Sequence, residues 1–324
     1  MSKHILITEP IVEEVIEKLR EQYEVTVGER GRYNDEKNLV QDIPGYHGLL
    51  SMLSNPVTGK VIKAGTDLQV IANHAVGYNN IDLEAANRSG IQVANTPDVL
   101  TESTADFAMA LLLATARKLC EAQEYLRDGR FEGWEPLGFL GRELSGSTMG
   151  ILGMGRIGTA VARRARGFNM DILYKNRSRA SRETEQELGA RYVDSVVKLA
   201  RSSDVLSLNC PLTDETHHII DAEILQQMKP TSLIINTARG AVIDEAALAA
   251  ALHEEEIAGA GLDVFEEEPE VHPDLLTAPN CVITPHIASA THQTRTDIGM
   301  LAADAIIGVL EGKTANEIPN LLAL

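Results

Sequence analysis

The sequence predicts an α/β protein built from two doubly wound parallel sheets, and three observations predict it. Short β-rich runs alternate with helical patterns over residues 1–100, and a second series of the same kind begins near residue 149. Between the two lies a long helical stretch followed by an irregular, glycine-containing segment over residues 129–146. Strands that alternate with helices run parallel, because each crossover helix returns the chain to the same end of the sheet.

In the first series the strand candidates are residues 5–7, 24–27, 48–53, 68–72 and 92–94. Ile11, Val12, Val15, Ile16 and Leu19 share one helical face, and residues 82–89 form a further helix before Gly90. Asn95-Thr96-Pro97 then breaks the pattern, and one long helix is expected over residues 102–127. Its Phe107, Ala108, Leu111, Leu112, Thr115 and Ala116 are apolar or small on more than one side. Burial against a second domain and against another subunit is therefore expected. The second series has strand candidates at residues 149–154, 171–174, 205–209, 233–236, 261–264 and 282–284. A helix over residues 245–255 follows the N-cap residue Asp244, and an amphipathic helix over residues 291–310 closes the chain.

The run Thr148-Met-Gly-Ile-Leu-Gly-Met-Gly-Arg-Ile-Gly158 opens the second series and says what it holds. Gly153, Gly155 and Gly158 form a G-x-G-x-x-G pattern between an apolar strand and an amphipathic helix. Gly153 suits the tight turn, Gly155 the close approach of backbone to a pyrophosphate, and Gly158 the contact of helix with strand. Unpaired N–H groups at the helix N-terminus would receive the phosphates. The expectation is a Rossmann dinucleotide domain over residues 100–286. It is inserted into a flavodoxin-like substrate domain of residues 1–99 plus 287–324.

Bulk composition narrows the classes of function. The 324 residues are 44% hydrophobic and 23% charged, with a formal net charge of -18. So acidic a chain has no broad attraction for nucleic acid or anionic membrane. An anionic substrate needs a local cluster of positive charge instead. Cys120, Cys210 and Cys281 each lie in an apolar run and lack disulfide or metal spacing, so they read as buried free thiols of a reducing compartment. No metal is expected. The N-terminus enters a strand at Ile5, so no signal peptide is expected, and no apolar run nears the ~20 residues of a membrane span. A cytoplasmic protein is the expectation.

Past the second strand of the nucleotide domain, the position at which a carboxylate accepts bonds from the adenosine ribose holds Asn176-Arg177-Ser178-Arg179. Guanidinium groups and a hydroxyl suit a 2′-phosphate, and the missing carboxylate removes a repulsive charge. NADP is expected as the preferred cofactor, with NAD as a second possibility. The other reading of this stretch is a solvated basic loop.

Three later stretches place titratable residues just past the ends of strands, the edge where such sheets bind ligands. They hold Arg239, Glu268 and His286. Each has an ordinary alternative: a surface charge, one member of the acidic run 266–268, and a satisfied core histidine. Their joint position on one edge favours a site.

The same residues carry a resemblance to the D-isomer-specific 2-hydroxyacid dehydrogenases, most closely to glyoxylate/hydroxypyruvate reductases. It extends over almost the whole length, through 75–82, 104–108, 150–158, 210–213, 236–240, 261–269 and 285–292. The resemblance implies reduction of a small 2-keto acid such as glyoxylate or hydroxypyruvate to the 2-hydroxy acid, in a cleft between the domains. Arg239 would bind the substrate carboxylate and polarise the keto oxygen. His286 would donate a proton to that oxygen, while Glu268 holds the ring and favours its protonated form. Backbone N–H groups of Val76 and Gly77 would be a second carboxylate anchor, with Leu53, Ser54 and Ser289 lining the pocket. Thr104, Arg156, Ile157, Pro211, Thr216, Thr237, Ala238, Asp263 and Ala288 would contact the cofactor, which His286 also borders. Trp134 would either enter a neighbouring subunit's substrate site or anchor the interface of a homodimer. Two other functions share these residues: reduction of 2-ketogluconate, and dinucleotide sensing by a binding protein of the same fold.

Overall fold

The structure, a computed structural model, describes residues 2–323. Those residues divide into two compact units, 2–100 with 290–323 and 101–289. Each is organised around one wholly parallel sheet, of five strands in the first and seven in the second.

In the first unit the strands are β1 His4–Ile7, β2 Glu24–Val27, β3 Gly48–Ser51, β4 Val70–Asn73 and β5 Gln92–Ala94. Their order is β2-β1-β3-β4-β5, the flavodoxin-like arrangement. Both faces are covered, and the side-chain alternation shows how. Ile5, Ile7, Leu50, Val70 and Ala72 join one core with the helices Glu13–Arg20 and His292–Leu310. Leu6, Leu49, Ile71 and Val93 join the other core, with Leu39, Val61 and Ala86. Successive strand residues point to opposite faces, so a sheet buried on both sides needs an unbroken apolar run.

The second unit contains β6 Thr148–Leu152, β7 Asp171–Lys175, β8 Arg191–Tyr192, β9 Val205–Leu208, β10 Leu233–Asn236, β11 Gly259–Leu262 and β12 Cys281–Ile283. Their order is β12-β11-β10-β9-β6-β7-β8. The chain leaves β6 toward β7 and β8, then crosses back to β9. The switch point lies between β6 and β9, and the glycine turn sits at the carboxyl end of β6. That is the crevice in which a doubly wound sheet receives its ligand.

Several expectations are corrected. The single helix over residues 102–127 is two helices, Thr101–Ala116 and Leu119–Arg127, because Lys118 adopts a left-handed backbone with φ 51°. The third strand ends at Ser51, so Leu53 and Ser54 lie in the turn beyond it. The two-residue strand β8 is too short to leave a periodic signal. The closing helix is buried on most sides: Ile298, Gly299, Ala302, Ala303, Ala305 and Ile306 cannot share a single stripe. Gly299 there lies so close to Val15 that a Cβ would come within 2.6 Å of its side chain. Cys120 is exposed, because it sits on a helix with no buried residue. Cys210 and Cys281 do read as inert thiols, pushed up by burial to about 11 and about 12.

Candidate active site

The glycine turn meets the steric requirements of a dinucleotide. Gly153 has φ +95°, and a Cβ on it would lie 2.6 Å from the Cys210 backbone nitrogen. At Gly158 a Cβ would lie 2.2 Å from the Gly153 carbonyl oxygen, so only glycine lets the helix Arg156–Gly167 start this close to the strand. Gly155 is the opposite case, for a Cβ there would meet nothing within 4 Å. The open space lies at the N-terminus of a twelve-residue helix that has no side-chain cap. A helix N-terminus that opens onto free space in this way is the arrangement that receives a pyrophosphate in dinucleotide sites. Arg156 and Ile157 occupy the first helical turn. Thr104 is buried in the first turn of the helix Thr101–Ala116.

The stretch after β7 is more constrained than its sequence suggests. The Met154 N–H donates to Asn176 Oδ1 at 2.6 Å, and Asn176 Nδ2 donates to the Met154 carbonyl at 3.2 Å. Asn176 therefore braces the glycine turn. Arg179 forks onto Glu185 at 2.7 and 3.0 Å. Arg177 and Ser178 remain exposed, with no side-chain hydrogen bond among the described residues. After β9, Pro211 and Thr216 are joined by a bond from the Thr216 hydroxyl to the Pro211 carbonyl at 2.6 Å.

Arg239, Glu268 and His286 come together at the carboxyl edge of β10, β11 and β12. Asn236, the last residue of β10, accepts the Ala238 N–H at 3.0 Å and donates to the Arg239 carbonyl at 2.9 Å. That side-chain turn carries Thr237 and Ala238 and projects Arg239. Gly240 follows because the next loop passes too close for a side chain. A Cβ there would stand 1.8 Å from the Phe265 carbonyl carbon. The guanidinium is largely buried, and burial lowers its pKa against the raising effect of Glu268.

Glu268 spans its own loop. One oxygen accepts the Phe265 N–H at 3.1 Å, and the other meets His286 Nδ1 at 2.8 Å. Burial pushes this carboxyl up, but the bond and charge of His286, the Phe265 N–H and Arg239 together hold it below its usual value. With Nδ1 committed to Glu268, Nε2 of His286 is the nitrogen left to exchange a proton with another molecule.

His286 has a left-handed backbone, φ 54°, which costs a non-glycine residue energy unless its surroundings enforce it. Asp263 does the enforcing. Fully buried at the end of β11, it accepts the Thr284 hydroxyl at 2.7 Å and the N–H groups of Ile287 and Ala288 at 2.8 and 2.7 Å. Burial pushes the Asp263 carboxyl up, while these donors and the nearby His286 ring oppose the shift. Its role visible here is to hold the His286 loop. Ser289, partly exposed, makes no hydrogen bond to His286. Asn236, Thr284 and the Phe265 N–H escaped the sequence reading. Asn236 alone left a signal, as an Asx-turn former at a strand end.

Leu53, Ser54, Val76 and Gly77 belong to the first unit and lie past the ends of β3 and β4. Trp134 is 85% exposed in the irregular segment. A cavity of about 400 Å³ bordered by Arg142, Leu144, Asp204 and Thr231 opens at the amino edge of the seven-stranded sheet, away from the catalytic candidates. Among the described residues no group of His, Cys, Asp and Glu is placed to hold a metal ion, and no helix is long and apolar enough to cross a membrane.

Comparison with known proteins agrees with this geometry. Residues 109–288 match the family model "D-isomer specific 2-hydroxyacid dehydrogenase, NAD binding domain". A glyoxylate reductase of Thermococcus onnurineus is 46% identical over 324 residues, covering 99% of this chain and 96% of its own. An NADPH-dependent glyoxylate/hydroxypyruvate reductase of Sinorhizobium meliloti, solved with NADP and malonate, superposes with a TM-score of 0.87 at 37% identity, with both chains fully covered. A glyoxylate reductase of Paecilomyes thermophila gives a TM-score of 0.85 at 35% identity, covering 99% of this chain and 98% of its own. Two parallel α/β units, a dinucleotide turn at the switch point and an Arg–Glu–His edge accompany these matches, and the chain belongs to the D-isomer specific 2-hydroxyacid dehydrogenase family.

Proposed function

We propose that the protein reduces small 2-keto acids, glyoxylate and hydroxypyruvate first, to 2-hydroxy acids, using NADPH in preference to NADH. The observation that most supports this reading is the Glu268–His286 pair, bonded at 2.8 Å within the field of Arg239 on the sheet edge that carries the glycine turn. When bound, the nicotinamide supplies a hydride for the keto carbon. Arg239 offers a planar fork of donors to the substrate carboxylate and polarises the keto oxygen. His286, oriented through Nδ1, gives that oxygen a proton from Nε2 and regains one from solvent. Glu268 stabilises the imidazolium before transfer. Asp263 keeps the His286 loop in its strained conformation.

The cofactor preference rests on Arg177 and Ser178 and on the absence of a carboxylate at the end of β7. Asn176 and Arg179 support that loop from behind through Met154 and Glu185. The named relatives support both substrate and cofactor. The second unit is read as the dinucleotide-binding domain and the first as the substrate domain. A homodimer is proposed through residues 119–140, where Leu119, Leu126, Phe131, Trp134, Leu137 and Leu140 are all exposed. A cytoplasmic setting fits three cysteines without a disulfide among the described residues.

The test is a matrix of steady-state rates, NADPH and NADH each against glyoxylate, hydroxypyruvate, pyruvate and 2-ketogluconate. The expected result is fastest turnover of glyoxylate or hydroxypyruvate with NADPH. Absence of turnover across the matrix, with dinucleotide binding intact, overturns the reading. Sedimentation equilibrium checks the dimer.

A further inference from the structure

The loop that follows β4 has its backbone turned by side chains that the reaction does not use. Three consecutive carbonyls in it are tied to the body of the first unit. The Ala75 carbonyl accepts the Thr96 N–H at 2.9 Å. The Val76 carbonyl accepts Asn95 Nδ2, and the Gly77 carbonyl accepts Asn73 Nδ2, each at 2.7 Å. The peptide bonds in this loop are trans, and in a trans peptide the N–H of one residue points opposite to the carbonyl of the residue before it. Fixing these carbonyls on one side therefore turns the N–H groups of Val76, Gly77 and Tyr78 to the other. None of the three donates to another group among the described residues. Three successive outward N–H groups make a concave anion receptor of partial positive charge.

The residues that carry these carboxamides are themselves held firmly. Asn73, fully buried at the end of β4, accepts the Ser51 hydroxyl at 2.9 Å and exchanges bonds with Asn80 at 3.0 and 3.2 Å. Asn80 in turn donates to the Met52 and Asn55 carbonyls at 3.0 and 3.1 Å. Asn95, 8% exposed just past β5, is held through its backbone, whose N–H donates to the Asn320 carbonyl at 3.2 Å and whose carbonyl accepts Asn320 Nδ2 at 2.8 Å. Both amides thus reach the loop from fixed points at the carboxyl edge of the sheet, and neither carries a charge.

We propose that Asn73 and Asn95 are positioning residues that set the affinity of the first unit for a small carboxylate, by orienting a receptor of three N–H groups that includes Tyr78. The proposal rests on the reading of the substrate as a 2-keto acid only in naming the carboxylate's source. In Asn95→Ala the Val76 carbonyl loses its donor, and the Val76–Gly77 peptide is free to rotate. In Asn73→Asp the Gly77 carbonyl faces an acceptor in place of a donor.

The experiment is a titration of oxalate into the full-length protein by calorimetry, alongside steady-state kinetics. In Asn95→Ala, with folding verified by thermal melting, the oxalate dissociation constant and the KM for glyoxylate are expected to rise together by about tenfold or more. The KM for the dinucleotide is expected to stay within about twofold. A purely structural role for Asn95 would lower the melting temperature without this split, and would overturn the proposal. So would unchanged oxalate affinity in either folded variant. If the parent protein turns over no 2-keto acid, the proposed reaction fails, but the titration still decides. Oxalate binding that the substitution weakens supports the receptor, and a parent that does not bind oxalate refutes it.

Discussion

The carboxyl edges of the two sheets are built from different materials. In the second unit the edge presents ionisable side chains: Arg239, Glu268 and His286 in mutual contact or field, braced by Asp263. In the first unit it presents backbone N–H groups oriented by neutral amides, Asn73 and Asn95. The difference teaches a division of labour. Proton transfer needs groups whose charge changes, whereas gripping a carboxylate needs only donors that stay fixed. The neutral edge keeps its donors at any pH at which the unit is folded. The charged edge works only within the window that its titrating groups allow.

The comparison breaks most readily at His286. His286→Asn removes the proposed proton donor, and a drop in kcat of about 10²- to 10⁴-fold is expected with dinucleotide binding retained. Stopped-flow single turnovers and a cofactor titration separate the two, and a kcat within a few-fold of the parent would refute the assignment. A smaller but measurable effect concerns stability in the first unit. His74, buried beside the receptor loop with Arg295 nearby, has its pKa lowered from 6.5 to about 4 by burial first and by that charge second. The unfolded chain then binds a proton that the folded chain refuses. The resulting stability is complete above pH 6.5, falls as pH drops toward 4, and is flat below that. The loss amounts to about 3 kcal/mol over the window. His74→Phe is expected to flatten this part of a stability–pH curve from urea unfolding, and an unchanged slope would sink the idea.

Glu268 sharpens the contrast from the charged side. Its carboxyl is held below the usual 4.5, so the anion persists as pH falls, and the activity that depends on it is lost only below that value. In Glu268→Gln no carboxylate is left to protonate, and the acid limb of the reduction profile is expected to disappear. A coincident pH profile for parent and variant counts against the pair acting as a unit. The smallest effect belongs to the cofactor loop. Arg177→Ala should raise KM for NADPH about tenfold, the scale of one charge-assisted contact, and leave NADH nearly unchanged. Equal losses with both cofactors would remove Arg177 from discrimination.

Much of the fold was legible because sheets buried on both faces force continuous apolar runs, such as 5–7 and 233–236, between recognisable turns. The glycine turn was legible for a steric reason that its neighbours confirm in the Gly153 and Gly158 contacts. The break at Lys118 was not, since Arg117-Lys118-Leu119 contains no glycine or proline and reads as continuing helix. The braces of the site were equally silent. Thr284 acts through a bond to a residue far back along the chain, which leaves no period to detect, and Asp263 read as a cofactor contact and not as the brace of the His286 loop. Asn176 adds a role that no sequence pattern announces, since its side chain bonds both the N–H and the carbonyl of Met154.

The contact at Gly240 has a practical consequence for redesign. Because the backbone at Gly240 rests directly on that of Phe265 and Glu266, the Arg239 loop and the Glu268 loop behave as one mechanical part. A graft that exchanges either loop alone imposes a new backbone path on the other. Libraries that aim to change substrate choice should therefore vary residues 237–242 and 264–269 jointly, and compensating pairs across that seam are where improved variants should be sought.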